Sequence, residues 1–320
     1  MPLFVVVLFS CKSGNPVASD TTWNAVNNVA HDTTWSSVNN GLTDTVIYDL
    51  TNIGTTMYAG GWGHGVFRSS DEGDHWFASS TGLQPYVSSL CTVGQKLYAA
   101  TNLGVFLSTD NASSWREITT TWDFKYINAI ASDGSYFYAS SQRDGVFVTS
   151  DDGVHWSSLN DGIPLSKSQL VNYDVVCLTC VGTDIYAGVL GAGIFLLRGG
   201  DTTWTLLGGP TYYMDAIVVN GGSIFAATRT VGVMRSNDKG STWKTVNKGL
   251  PSLTVNSLLV VGSQLYAGVY ESGVFRTLDN GDTWSQFRSG LPSVTVLCLL
   301  AENNTLFAGT YGKGVWRFKL

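Results

Sequence analysis

The sequence predicts an all-β chain: a seven-bladed β-propeller of four-stranded antiparallel blades, closed by an N-terminal strand that completes the last blade. A Trp recurs at positions 35, 76, 115, 156, 204, 243 and 284, with successive spacings of 41, 39, 41, 48, 39 and 41. A fixed period near 40 residues means stacked modules. Each unit holds four short segments rich in β-branched and aromatic residues, broken by Gly, Ser, Asn or Asp, and four-stranded units at this period are propeller blades. The units also do not come out even. Six complete ones run from residue 44 to residue 288, and a seventh begins at Ser293 and stops before its Trp.

The sixth unit sets the template. Its strands are expected at 254–261, 264–270, 273–278 and 284–288, where alternation is clearest. The seventh supplies Leu306-Phe307-Ala308-Gly309 and Gly314-Val315-Trp316-Arg317 and then lacks an outer strand. The missing piece stands at the other end of the chain as Asp32-Thr33-Thr34-Trp35-Ser36-Ser37-Val38. Pairing it with the last blade removes two exposed sheet edges. A near-copy, Asp20-Thr21-Thr22-Trp23-Asn24-Ala25-Val26-Asn27-Asn28, precedes it. The second copy is favoured for closure because it leads into the Gly41-Leu42 connection used elsewhere, which leaves the first as a spare strand or tether.

Composition is that of a large folded core: 44% of the 320 residues are hydrophobic and 13% charged, with 36 Gly and 7 Pro. A net charge of −6 argues against a phosphate-tracking surface, so no nucleic-acid partner is expected. Residues 3–9 are apolar, too few to span a bilayer as a helix but enough for the core of a short signal peptide. Leu8-Phe9-Ser10-Cys11 resembles a bacterial lipobox, although no Lys or Arg precedes the apolar run. The expected organisation is a signal peptide over 1–11 with lipidation at Cys11, a linker over 12–31 carrying the spare segment, and a propeller over 32–320. That organisation places the protein outside the cytoplasm, with the membrane involved only through the anchor. Cys177 and Cys180 form a Cys-x-x-Cys inside an apolar run. Three residues apart on a strand they face opposite ways, so they are core residues and not a metal or redox pair.

The best copies of the turn before the Trp are Ser236-Asn237-Asp238-Lys239-Gly240-Ser241-Thr242-Trp243 and Thr277-Leu278-Asp279-Asn280-Gly281-Asp282-Thr283-Trp284. Asp71, Gly73 and Trp76, and Asp151, Gly153 and Trp156, match them. Asp110 and Trp115 stand in a copy that has lost its Gly, and Arg198-Gly199-Gly200-Asp201 displaces the Asp. The pattern resembles the Asp-box (BNR) repeat of sialidases, sortilin-like receptors, a xyloglucanase family and the photosystem II assembly-factor group. That resemblance implies that the Asp residues brace turns on the rim, away from any central site. It also implies that the Trp packs between blades.

Propeller geometry gathers the inter-blade loops and the loops between second and third strands on one face. Candidate ligand-binding residues there are Trp62, His64, Tyr86, Trp122, Lys125, Tyr126, Arg143, Tyr173, Tyr212, Arg229, Tyr270 and Tyr311. Exposed aromatics beside hydrogen-bonding groups suit a protein segment or a glycan; several of them closing the channel mouth as core is the alternative. Hydrolysis of a glycosidic bond would need paired carboxylates, for which Asp144, Asp174, Asp215 and Glu271 are the candidates. The Arg-Ile-Pro motif of sialidases and the Arg-Thr-Asp signature of the xyloglucanase group are absent. Arg68, Arg235, Arg276 and Arg317 recur at one repeat position, which suggests packing. His75 and His155 replace the Thr before the Trp, so no metal site and no cofactor is implied. The sequence therefore reads as a monomeric, exported binding or scaffold module, with a carbohydrate-active hydrolase as the alternative.

Overall fold

The computed structural model describes residues 34–119, 126–142, 144–164, 174–287 and 289–320. The expected leader, Cys11, the linker and the first Asp-Thr-Thr-Trp segment lie outside them. A two-residue strand, β1 (Ser36–Ser37), precedes blade 1, made of β2 (Ile47–Ile53), β3 (Thr56–Gly61), β4 (Val66–Ser69) and β5 (Phe77–Ala78). Blade 2 is β6 (Val87–Val93), β7 (Lys96–Thr101), β8 (Gly104–Ser108) and β9 (Arg116–Glu117). Blade 3 is β10 (Ile127–Ser132), β11 (Phe137–Ser141), β12 (Gly145–Thr149) and β13 (Ser157–Ser158). Blade 4 is β14 (Val175–Val181), β15 (Asp184–Val189), β16 (Gly193–Leu197) and β17 (Thr205–Gly208). Blade 5 is β18 (Met214–Asn220), β19 (Ser223–Thr228), β20 (Val233–Ser236) and β21 (Lys244–Thr245). Blade 6 is β22 (Val255–Val261), β23 (Gln264–Val269), β24 (Gly273–Thr277) and β25 (Ser285–Gln286). The last blade is β26 (Val296–Glu302), β27 (Thr305–Thr310) and β28 (Val315–Lys319), with β1 as its outer strand, so the ring has seven blades.

Among the described residues the outer strand of blade 6 is shorter than expected, Ser285–Gln286, with Trp284 buried before it. Tyr270 and Leu278, expected at strand ends, lie in the loops that follow β23 and β24.

The seven inner strands pack side by side in a closed circle, with β26 against β2. Every one carries a bulge at the same place, between residues 47 and 49, 87 and 89, 127 and 129, 175 and 177, 214 and 216, 255 and 257, and 296 and 298. A bulge inserts one unpaired residue and increases twist. The inserted residues are Tyr48, Ser88, Asn128, Val176, Asp215, Asn256 and Leu297, all buried at the inner edge. Three of them reach the next blade: Ser88 Oγ donates to the Ile127 carbonyl, Asn128 Nδ2 to Val175 and Asn256 Nδ2 to Val296. The hydrophobic core is correspondingly divided into one cluster per pair of neighbouring blades. Cys177 packs toward blade 5 and Cys180 toward blade 3. Burial pushes both thiols up to about 12, which leaves them unreactive.

The recurring Trp joins blades in two ways. Its ring fills the gap to the preceding blade, fully in Trp35, Trp76, Trp115, Trp204 and Trp284, and partly in Trp156 and Trp243. Its indole Nε1 also donates to a carbonyl at the end of the preceding blade's outer strand, at 2.8–3.3 Å: Val38 for Trp76, Ser79 for Trp115, Ile118 for Trp156, Leu159 for Trp204, Leu207 for Trp243 and Val246 for Trp284. Trp35 does the same to the Phe287 carbonyl across the closure, at 3.1 Å. The connection after five of the outer strands needs Gly. Gly41, Gly82, Gly162, Gly249 and Gly290 all have φ between 81° and 98°, and a Cβ at any of them would collide with the backbone carbonyl of the next blade's Trp.

Candidate functional site

The rim turn is built around one carboxylate. In the copy at 277–284, Asp279 Oδ1 accepts the Thr283 N–H at 2.8 Å and Oδ2 the Thr283 hydroxyl at 2.6 Å, while Thr277 Oγ1 accepts the Gly281 N–H at 2.9 Å. Asp238 repeats this with Thr242, and Asp110 with Ser114. In the His variants the imidazole takes the hydroxyl's place: His75 Nδ1 lies 2.8 Å from Asp71, and His155 Nδ1 2.6 Å from Asp151. The residue after the Asp is left-handed in each copy, and the following Gly73, Gly153, Gly240 and Gly281 have φ of 81–94°. Ala112 holds the same conformation at φ 64° in the copy without Gly.

These bonds stabilise the ionised acid. The Thr283 and Thr242 hydroxyls, then their N–H groups, lower Asp279 and Asp238 from 3.8 to about 2. The Ser114 hydroxyl does so for Asp110, and the His155 N–H and ring for Asp151. At Asp71 desolvation pulls upward, and the donors of His75 and Ser69 outweigh it. A depressed folded pKa stabilises the fold fully above the unfolded value and loses that contribution as pH falls through the folded one. The urea midpoint should therefore drop progressively between about pH 4 and pH 2. An Asp279→Asn variant should show a shallower drop over that window, and equal slopes in the two proteins would contradict this account.

The recurrent Arg residues tie the same turns together. Arg68 Nη1 donates to the Asn111 carbonyl at 3.3 Å, Arg317 Nη1 to Glu72 at 3.0 Å, and Arg235 to Asn280. Each clamps the left-handed residue of the next blade's turn. Arg276 instead lies over the Phe287 ring, 5.0 Å from its centre. Leu196 occupies the corresponding register position in blade 4, opposite Tyr186. Beside it, between blades 4 and 5, opens a cavity of about 280 Å³ lined in part by Tyr186, Leu196, Ile224 and Lys239.

The opposite face is organised by backbone bonds between loops. In six of the seven blades the residue after the second strand donates its N–H to the carbonyl just before the inner strand. The pairs are Trp62 to Val46, Gln142 to Tyr126, Leu190 to Asp174, Arg229 to Tyr213, Tyr270 to Thr254 and Tyr311 to Thr295. Trp62, Tyr270 and Tyr311 thus take one structural position in three successive blades, 6, 7 and 1. They are 43%, 44% and 58% exposed. Trp62, Tyr86 and Tyr48 meet edge to face, with ring centres 5.5–5.8 Å apart. Tyr48 is the bulge residue of blade 1; its hydroxyl is buried and makes no hydrogen bond among the described residues. Burial raises its pKa, with the Tyr86 and Tyr311 hydroxyls adding to the rise, and burial pushes Tyr86 up to about 12.

Asp44 anchors the Trp62 loop. Its carboxylate accepts N–H groups from Val46, Gly63 and His64, at 3.2, 2.7 and 3.2 Å, and the His64 ring lies 3.6 Å away. Sequence reading missed Asp44; the Gly-rich stretch it serves, 60–65, was the available signal. Across the mouth, Arg229 pairs with Asp215 through Nε and Nη2, at 2.7–3.1 Å, and lies 4.4 Å over the Tyr213 ring. Burial pushes Asp215 up to about 6, with Arg229 opposing.

Among the expected binding residues, Trp62, His64, Tyr126, Tyr212, Tyr270 and Tyr311 are exposed on this face, and Tyr86 and Arg229 are partly buried. Trp122, Lys125, Arg143 and Tyr173 lie outside the described residues. The four acids fall in different blades. Asp215 is engaged by Arg229, Asp174 is buried, Asp144 accepts the Ser141 hydroxyl at 3.3 Å, and Glu271 stands beside Tyr270 and raises its pKa. Among the described residues no group of three His, Cys, Asp or Glu side chains is placed to hold a metal ion.

Solved structures share this architecture. A structure titled YCF48 bound to D1 peptide superposes with a TM-score of 0.72 at 15% identity, covering 92% of this chain and 100% of that one. The likeness is one of fold. The extracellular domain of a putative hybrid two-component system from B. thetaiotaomicron gives 0.70 at 12% identity, covering 89% of this chain and 40% of that one. The GH74 xyloglucanase from Xanthomonas campestris gives 0.62 at 20% identity, with 88% and 44% covered. No protein-family model matches the sequence, and no curated protein sequence matches it.

Proposed function

We propose that this chain is an exported, non-catalytic binding module whose loop-rich face takes an extended protein segment. The observation that carries this reading is the aromatic arc of Tyr270, Tyr311 and Trp62, closed from below by Tyr86 and by a Tyr48 hydroxyl without a hydrogen-bond partner among the described residues. Rigid aromatics offer large contact area at low entropic cost, and a buried hydroxyl needs an acceptor or donor. YCF48, of similar fold, is described as bound to a D1 peptide, which supports a peptide over a glycan. An extracellular domain of similar fold supports the assignment to the outside of the membrane, where the Cys11 lipid anchor would hold the protein. Hydrolysis is disfavoured because Asp215 is engaged by Arg229.

The test is selection of a displayed random-peptide library on the immobilised chain, with a panel of oligosaccharides run in parallel. Trp62→Ala should weaken the selected peptides about 30-fold, as for an interface hot spot, while the variant stays cooperatively folded at the assay temperature. Enrichment that survives Trp62→Ala and Tyr311→Ala would remove the face from consideration. Shortened oligosaccharides would replace this reading with a hydrolase.

A further inference from the structure

The closing position on the last blade reads its occupant closely. Trp35 is buried, its N–H donates to the Ser289 carbonyl and its Nε1 to Phe287. Val38 is buried and donates its N–H to Val315 at 3.0 Å. The Asn39 amide braces the partner strand, accepting the Val315 N–H at 2.7 Å and donating to Lys313 at 3.1 Å. Asn160 and Asn247 make the same pair of contacts in complete blades. The Asn40 carbonyl accepts the Trp76 N–H at 2.8 Å. Ser36 and Ser37, in contrast, are exposed and pair with Arg317 and Trp316.

Residues 20–28 differ from 32–40 at two positions only, Asn24 for Ser36 and Ala25 for Ser37. Both positions are exposed, and the one side-chain contact there is the Ser36 hydroxyl, 3.5 Å from the Arg317 carbonyl. Every side chain that the slot contacts through burial or a brace recurs: Trp23 for Trp35, Val26 for Val38 and Asn27 for Asn39.

We propose that the outer edge of β28 is a β-strand binding site with two ligands in the same chain, and that residues 20–28 occupy it when 32–40 are weakened. The residues immediately C-terminal to each copy rank the two. After Asn40 comes Gly41 at φ 81°, where a side chain would strike the Trp76 carbonyl, and then the buried Leu42. After Asn28 come Val29 and Ala30. A β-branched residue does not fit the Gly41 conformation, so the second copy is preferred and the first is the reserve. The tether is long enough: 18 residues separate Asn28 from Ile47, against 6 between Asn40 and Ile47.

The experiment uses the full chain in a Cys11→Ser background. Thermal melts compare Trp23→Ala, Trp35→Ala and the double variant, with Trp284→Ala as the benchmark for a blade that has no second copy of its outer segment. Trp23→Ala alone should leave the melting temperature unchanged. Trp35→Ala should lower it by less than half the benchmark shift, and the double variant should match the benchmark. Ala25→Cys with Trp316→Cys places a thiol pair in the exchanged register, since Ala25 takes the place of Ser37. An intrachain disulfide should form in the Trp35→Ala background and not beside an intact Trp35. The proposal is overturned by Trp35→Ala melting as low as the double variant or failing to fold. Absence of the disulfide in that background, or its formation only between chains, overturns it as well.

Discussion

Trp284→Ala should lower the free energy of unfolding by about 3–5 kcal/mol, the range for truncating a large buried aromatic. The ring is 4% exposed and belongs to the cluster that joins blades 5 and 6, with Phe275, Val246 and Leu258. Its loss leaves a cavity between two sheets, and neither sheet can close over it because each is held by its own ladder and by a bulged inner strand. Truncation also strips the Val246 carbonyl of its Nε1–H donor at 2.8 Å. Trp284→Phe separates the two contributions. It restores most of the apolar area but not the donor, so it should recover more than half of the loss and leave a deficit of about 1–1.5 kcal/mol. Urea titrations followed by circular dichroism measure both variants. Equal losses for Ala and Phe would mean that the hydrogen bond, and not the packing, holds the blades together.

Gly249→Ala should cost about as much, about 2–6 kcal/mol, although it adds a single methyl group. Two effects combine. At φ 95° an L-residue is strained by about 1–3 kcal/mol. The new Cβ would also press on the Trp284 carbonyl, a backbone atom that cannot rotate away, and overpacking adds about 1–3 kcal/mol. Gly262→Ala is the control. It shares a positive φ, 59°, but a Cβ there meets nothing within 4 Å, so it should cost about 1–2 kcal/mol. The same loss at both positions would show that strain alone accounts for Gly249.

The blades were legible because each unit repeats one punctuation: an Asp that needs a short turn, a Gly that permits it, and a Trp too large to be left exposed. The closing strand was legible from an incomplete last unit, and the Gly41 connection explains why the second copy fills it. The channel mouth was legible only in part. Trp62, Tyr270 and Tyr311 stood out as aromatics in loops, yet their equivalence comes from the backbone bonds to Val46, Thr254 and Thr295. The partnership of Asp215 with Arg229 was not readable, because an acid on an inner strand looks the same whether it is free or paired.

The sequence by itself determined the count of blades, the rim turns and the position of closure, since all three depend on contacts between residues close together or on strict periodicity. Only the tertiary structure decided which side chains share a surface. The bulge in each inner strand has no compositional signature, being one extra residue in an apolar run, yet it turns Tyr48 and Asp215 toward the channel mouth and buries them. The clamps from Arg68, Arg235 and Arg317 join side chains to turns some 40 residues or more away, or across the ring closure. The first two need only two successive blades in place, whereas the Arg317 clamp on Glu72 exists only after the ring has closed, because it is closure that brings the last blade against the first.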